Sequence, residues 1–151
     1  MEGRWLPLTL VLDTSALWHP PLTTRILEMR ERTVHQVRFV LPGVAYAERR
    51  RQLLRDGRDV GVWDEDLRRA RIEVEAFGPT EAARIRAVND DLWEKHARDY
   101  LVAAHVGPGR VAVTYDEGPA WRDVPLIDPE TAADFLASIL DGPGWVQPRA
   151  P

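Results

Sequence analysis

The sequence predicts an α/β fold in which a mostly parallel sheet carries helices on both faces. Three observations lead there. Short apolar runs of strand length recur along the chain, segments with helical spacing of apolar residues separate them, and proline or glycine marks most of the junctions. Strand and helix patterns that alternate in this way favour parallel pairing, because a crossover helix is what returns the chain to the same end of the sheet. The length of 151 residues suits one compact domain, and 44% hydrophobic residues are ample for its core.

The elements follow in order. Leu8 to Leu12, Leu-Thr-Leu-Val-Leu, is a continuous apolar run of the kind expected in a strand buried on both faces, and is the candidate central strand. Past Pro20-Pro21, the residues Leu22, Ile26, Leu27 and Met29 give a short amphipathic helix. Residues 37–41 offer a second strand, stopped by Pro42-Gly43, and residues 44–54 read as helix. Gly57 and Gly61 bracket a break. Helical spacing resumes over residues 63–71, with Asp64, Glu65 and Asp66 in the first turn, where negative charge meets the positive end of the helix dipole. Residues 72–77 alternate as a strand does. Gly78-Pro79-Thr80 opens a helix through residue 88, and residues 91–106 hold a longer one ended by Gly107-Pro108-Gly109. Residues 110–114 and 124–127 are the last strands. Asp128-Pro129 then supplies an N-cap and a first-turn proline for a helix reaching Leu140. The Gly142-Pro143-Gly144-Trp145 segment and the Pro-rich end read as a tail, mobile unless something holds it.

Composition narrows the chemistry. A net charge of -4 argues against a uniformly basic nucleic-acid binder, although local arginine clusters are compatible with it. The absence of cysteine excludes disulfides, thiol catalysis and cysteine-ligated zinc, and fits a reducing compartment. The apolar stretch from Leu6 to Leu12 is far too short to span a membrane and runs straight into Asp13. A soluble cytoplasmic protein with no membrane partner is the expectation.

Four acids stand in distinctive settings: Asp13 and Asp116 close apolar strands, while Glu48 and Asp99 lie on helical patterns. In open α/β sheets, ligands collect beyond the carboxyl ends of the strands, so a strand's last residue and the adjoining helices are where site residues belong. Four carboxylates brought together cannot all ionise comfortably without a cation. Oxygen-only ligands favour Mg²⁺ or Mn²⁺ over zinc. Such a centre suits phosphodiester hydrolysis, in which one ion activates water and a second, roughly 3.5–4 Å away, steadies the leaving oxygen. Ser15, two residues after Asp13, and Thr114, two before Asp116, are placed to orient a carboxylate.

The ordered set Leu-Val-Leu-Asp13-Thr14-Ser15, Ala47-Glu48, Asp99-Tyr-Leu-Val-Ala-Ala104 and Val-Thr114-Tyr-Asp116 resembles the PIN-domain family, metal-dependent ribonucleases that include the bacterial VapC-type toxins. The resemblance runs from about Leu8 to Leu140. It implies a single PIN-like domain over residues 1–140 with a tail over 141–151, and a five-stranded parallel sheet. It also implies Mg²⁺ or Mn²⁺ held by Asp13, Glu48, Asp99 and Asp116, with Ser15 and Thr114 supporting. The activity implied is cleavage of single-stranded RNA, by the toxin of a type II toxin–antitoxin pair, with a cognate antitoxin as partner. The helical hairpin within residues 44–70 would help to receive that antitoxin and to form a homodimer. Departures from the toxin pattern lie at Arg49, where an apolar residue is usual, at the His19-Pro20-Pro21 interruption, and after Asp116, where Trp121 is the nearest aromatic.

Other features weigh less. Arg49, Arg50 and Arg51 beside Glu48 are candidates to hold an RNA phosphate, whereas Arg55 and Arg58 read as a solvated face balanced by neighbouring acids. His96, one turn before Asp99, is read as structural. The six tryptophans are read as packing residues, Trp18 being the one placed to stack a base. A haloacid-dehalogenase-type phosphatase also begins from an aspartate after its first strand, but needs a second aspartate where Ser15 stands. An adhesion-type Asp-x-Ser-x-Ser metal site fails at Leu17. The non-enzymatic alternative is a PIN-like protein that binds metal or RNA and acts through a partner.

Overall fold

The computed structural model describes residues 8–32 and 37–141. The predicted tail beyond Asp141, together with Trp5 and Trp145, lies outside the described residues. A five-stranded sheet, parallel throughout, forms the centre. Its strands are β1 (Leu8–Leu12), β2 (Val37–Pro42), β3 (Ile72–Glu75), β4 (Arg110–Val113) and β5 (Leu126–Ile127), in the spatial order β3-β2-β1-β4-β5. The central position of β1 accounts for its unbroken apolar run: Leu10 pairs with Phe39 on one side and Val111 on the other, and Leu10, Val11 and Leu12 are all buried.

Six α-helices complete the described residues: α1 (Pro20–Arg32), α2 (Gly43–Arg55), α3 (Val60–Arg69), α4 (Pro79–Ile85), α5 (Asp90–Ala103) and α6 (Pro129–Asp141). The chain moves outward from β1 to β3, then crosses back over the sheet to β4. Parallel crossovers are right-handed, so connections travelling in opposite directions lie on opposite faces. Accordingly α1 packs against α6, while α5 packs against α2, α4 and the 3₁₀ turn Pro119–Trp121. Leu22, Ile26 and Met29 of α1 and Ala132, Leu136 and Leu140 of α6 enter the core at helical spacing.

Several boundaries differ from the sequence reading, each for a local reason. The third helix begins at Val60, because the Asp59 carboxylate accepts from the N–H groups of Gly61 (2.8 Å) and Val62 (3.3 Å); Asp64, Glu65 and Asp66 therefore fall past its first turn. Gly61 is inside this helix, and the break is made by Gly57, whose φ of 69° turns the chain after α2. The strand expected to reach residue 77 stops at Glu75, and the Phe77 ring turns to meet His105 edge-on at 6.1 Å. The helix expected through residue 88 ends at Ile85. The long helix starts at Asp90, capped by Asn89, and is kinked at His96, whose φ of -131° and ψ of 22° leave the helical region. The fifth strand has two residues instead of four. Between β1 and α1, Thr14–Trp18 forms a 3₁₀ turn capped by Asp13.

Candidate functional site

Strand order reverses between β1 and β4, so a crevice opens beyond their carboxyl ends. Asp13 is the first residue past β1 and Thr114 the first past β4. The Asp13 N–H donates to the Val113 carbonyl at 3.0 Å, which continues the ladder and turns the side chain into the crevice mouth. Its carboxylate is almost wholly buried, at 1% exposure. Oδ1 accepts from the Thr14 N–H (2.7 Å) and Oδ2 from the Thr114 hydroxyl (2.8 Å). The same hydroxyl accepts from the Asp116 N–H at 2.9 Å, so one side chain fixes both strand-end acids.

All four predicted acids converge on one guanidinium that the sequence reading did not single out, that of Arg98. Nη2 lies 2.7 Å from Asp13 Oδ1 and 2.7 Å from Glu48 Oε1, and Nε donates to Glu48 Oε2 at 3.1 Å. Nη1 lies 3.2 Å from Asp99 Oδ1 and 3.6 Å from Asp116 Oδ2. Thr14 ties the cluster further: its hydroxyl donates to Glu48 at 2.7 Å and accepts from Arg98 at 2.9 Å. Ser15 plays a different part from the one expected, its hydroxyl accepting from the Tyr115 N–H at 3.2 Å and so holding the loop after β4.

The electrostatics follow from burial and this shared cation. Burial pushes the Asp13 carboxyl up, but the hydrogen bond and charge of Arg98, helped by Thr114, outweigh it and hold the group below its ordinary value. Glu48 is likewise held low, with Arg98 and Thr14 outweighing its burial. Asp116 goes the other way: burial first, then its hydrogen bond to Asp13 and the charges of Asp13 and Asp99, push it up to about 6. Arg98, despite burial, is held firmly protonated by Asp13 and Glu48. One guanidinium therefore leaves negative charge in excess, which is why Asp116 resists ionisation more than an ordinary carboxyl.

No family model matches the chain, and no curated protein matches it. Among solved structures, the 2.2 Å structure of VapBC-1 from nontypeable Haemophilus influenzae contains a chain of the same architecture, with a TM-score of 0.57 and 16% identity. The match covers 82% of this chain and 99% of that one. The fold is PIN-like.

On this PIN-like scaffold the donors fit a hard divalent cation in kind, being carboxylate oxygens held by hydroxyls and backbone N–H groups. They surround the guanidinium of Arg98, which lies among all four. Other predicted residues are dispersed. Arg49 is buried, its guanidinium carbon 3.4 Å from the centroid of the Trp18 ring, whereas Arg50 and Arg51 are exposed. Trp18 is 53% exposed with Arg49 against its face, so it combines packing with an open edge. His96 sits at the kink of α5. Trp121 is buried in the core.

A second polar group, not anticipated from the sequence, joins Glu75, Glu81 and His105, whose ligand atoms lie within 4.8 Å of one another, a spacing that could hold a metal ion. A cation is already supplied there: Arg110 reaches both Glu75 oxygens, at 2.7 and 2.9 Å, and His105 Nδ1 lies 2.7 Å from Oε1. Glu81 is engaged by the Gly78 N–H at 2.7 Å. No sequence motif pointed to this group, because its members come from separate elements.

Proposed function

We propose that the protein is a metal-dependent endoribonuclease of the PIN class acting on single-stranded RNA, and the toxin component of a type II toxin–antitoxin pair. The observation that carries this reading is the convergence of four acids, from β1, α2, α5 and the loop after β4, at the switch point of a PIN-like sheet. Asp13, Glu48, Asp99 and Asp116 would hold Mg²⁺ or Mn²⁺. Bound there, the ion would supply a lowered pKa for water and positive charge against the phosphate.

The chain's own groups prepare the rest. Thr14 and Thr114 fix Asp13 in one orientation, so its charge is aimed before substrate arrives. Asp116, 43% exposed, stands at the open side of the site. The exposed Arg50 and Arg51 of α2 are available to RNA phosphates. The VapBC-1 likeness supports an antitoxin as partner; the proposal extends to the α2–α3 hairpin as the receiving and dimerising element and to a cytoplasmic setting. No helix among the described residues is long and apolar enough to cross a membrane.

The test is cleavage of a pool of labelled single-stranded RNAs by purified protein with Mn²⁺ or Mg²⁺, with chelator, and by Asp13→Asn. Cleavage should require metal and vanish in Asp13→Asn, with unchanged circular dichroism. A folded Asp13→Asn protein that still cuts RNA would sink the mechanism. The position of Arg98 among the acids favours a second reading, a PIN-like protein that binds metal or RNA and acts through a partner; RNA binding without turnover in saturating Mn²⁺ would select it.

A further inference from the structure

We propose that Arg98 is a built-in counter-ion of the acid cluster, and that a divalent ion enters the site only by displacing its guanidinium. The inference rests on the reading of the four acids as metal ligands, and concerns what controls their loading. Three features carry it. The guanidinium touches every acid of the set, two of them at 2.7 Å, so it occupies the point toward which the ligand oxygens are directed. Asp13 is buried and cannot stay ionised without a partner, so a cation must always be present beside it. The Arg98 side chain is 30% exposed at the mouth of the site, which leaves it room to rotate outward when an ion arrives.

Two cations cannot share these oxygens at contact distance. The free energy that Arg98 gains from the cluster is therefore subtracted from the apparent affinity for the ion, as with any competing ligand. The device keeps the acids assembled in metal-poor conditions and raises the ion concentration at which the site loads.

The experiment is titration of the full chain with Mn²⁺, followed by calorimetry and by the spin-resonance signal of free Mn²⁺, together with melting curves in chelator and in Mn²⁺. Wild type is compared with Arg98→Gln, with Arg98→Lys as the variant that keeps a charge but loses the planar fork, and with Arg86→Gln as an exposed control for net charge. Expected are Mn²⁺ binding about tenfold or more tighter in Arg98→Gln, an intermediate gain in Arg98→Lys, and no gain in the control. Arg98→Gln should also melt lower than wild type in chelator and be stabilised more by Mn²⁺. Equal or weaker binding by both Arg98 variants, with wild type still binding Mn²⁺, overturns displacement and leaves the metal site standing. Absence of Mn²⁺ binding in every variant overturns both the displacement and the metal reading beneath it.

Discussion

The hydroxyl of Thr114 donates to buried Asp13 and accepts from the backbone of Asp116, so two acids depend on one oxygen. Thr114→Val keeps the shape and removes both bonds, leaving a buried carboxylate oxygen short of a donor. A loss of about 1–3 kcal/mol is expected, read as a lower denaturation midpoint, with Thr114→Ser retaining most of the stability. At this scale the acids themselves were legible in the sequence, since strand ends and motif order mark them. Arg98 was not. Adjacent helical residues point about 100° apart, so a reading that turns Asp99 into the crevice turns its neighbour away. The kink at His96, one turn earlier, interrupts the regular helix on which that reading depends. Arg49 illustrates the converse, a charged residue in a basic run that the fold buries beneath Trp18.

Among the elements, β3, the end of α5 and β4 are tied by the group around Glu75. Burial raises the Glu75 pKa, but the bonds to Arg110 and His105 outweigh it and hold the carboxyl below its ordinary value. A depressed carboxylate contributes stability above its unfolded pKa and loses it as pH falls through the folded value. Glu75→Gln should therefore cost about 1–3 kcal/mol at neutral pH, and its stability should fall less steeply than that of wild type on acidification below about pH 4.5, measured by urea unfolding across pH. The long helices were readable from apolar spacing, whereas their starts were set by side-chain caps at Asp59 and Asn89 that spacing alone does not weigh. The strand after α3 was read too long because Phe77 continues the alternation in sequence while its ring serves the contact with His105.

Across the whole molecule, the two-faced α/β architecture was legible because buried parallel strands and crossover helices leave different patterns. Hydropathy does not encode which strands are neighbours: the unbroken apolar run of β1 marked it as central, and the order of the other four strands is visible only in the fold. The packing of α1 on α6 closes one face of the sheet around Leu136, which is wholly buried. Leu136→Ala should lower global stability by about 2–5 kcal/mol in a single cooperative transition, whereas a separate early transition for α6 would show that this face is not integral to the fold. The pairing of β4 with β1 carries a consequence for the timing of activity. Asp13 and the hydroxyl that orients it are 101 positions apart, and Arg98 lies between them in the chain. A polypeptide still emerging from the ribosome thus presents isolated acids and no assembled centre until β4 is free to dock, so the proposed RNA-cutting activity arises only after the message has been read past the codons for that strand.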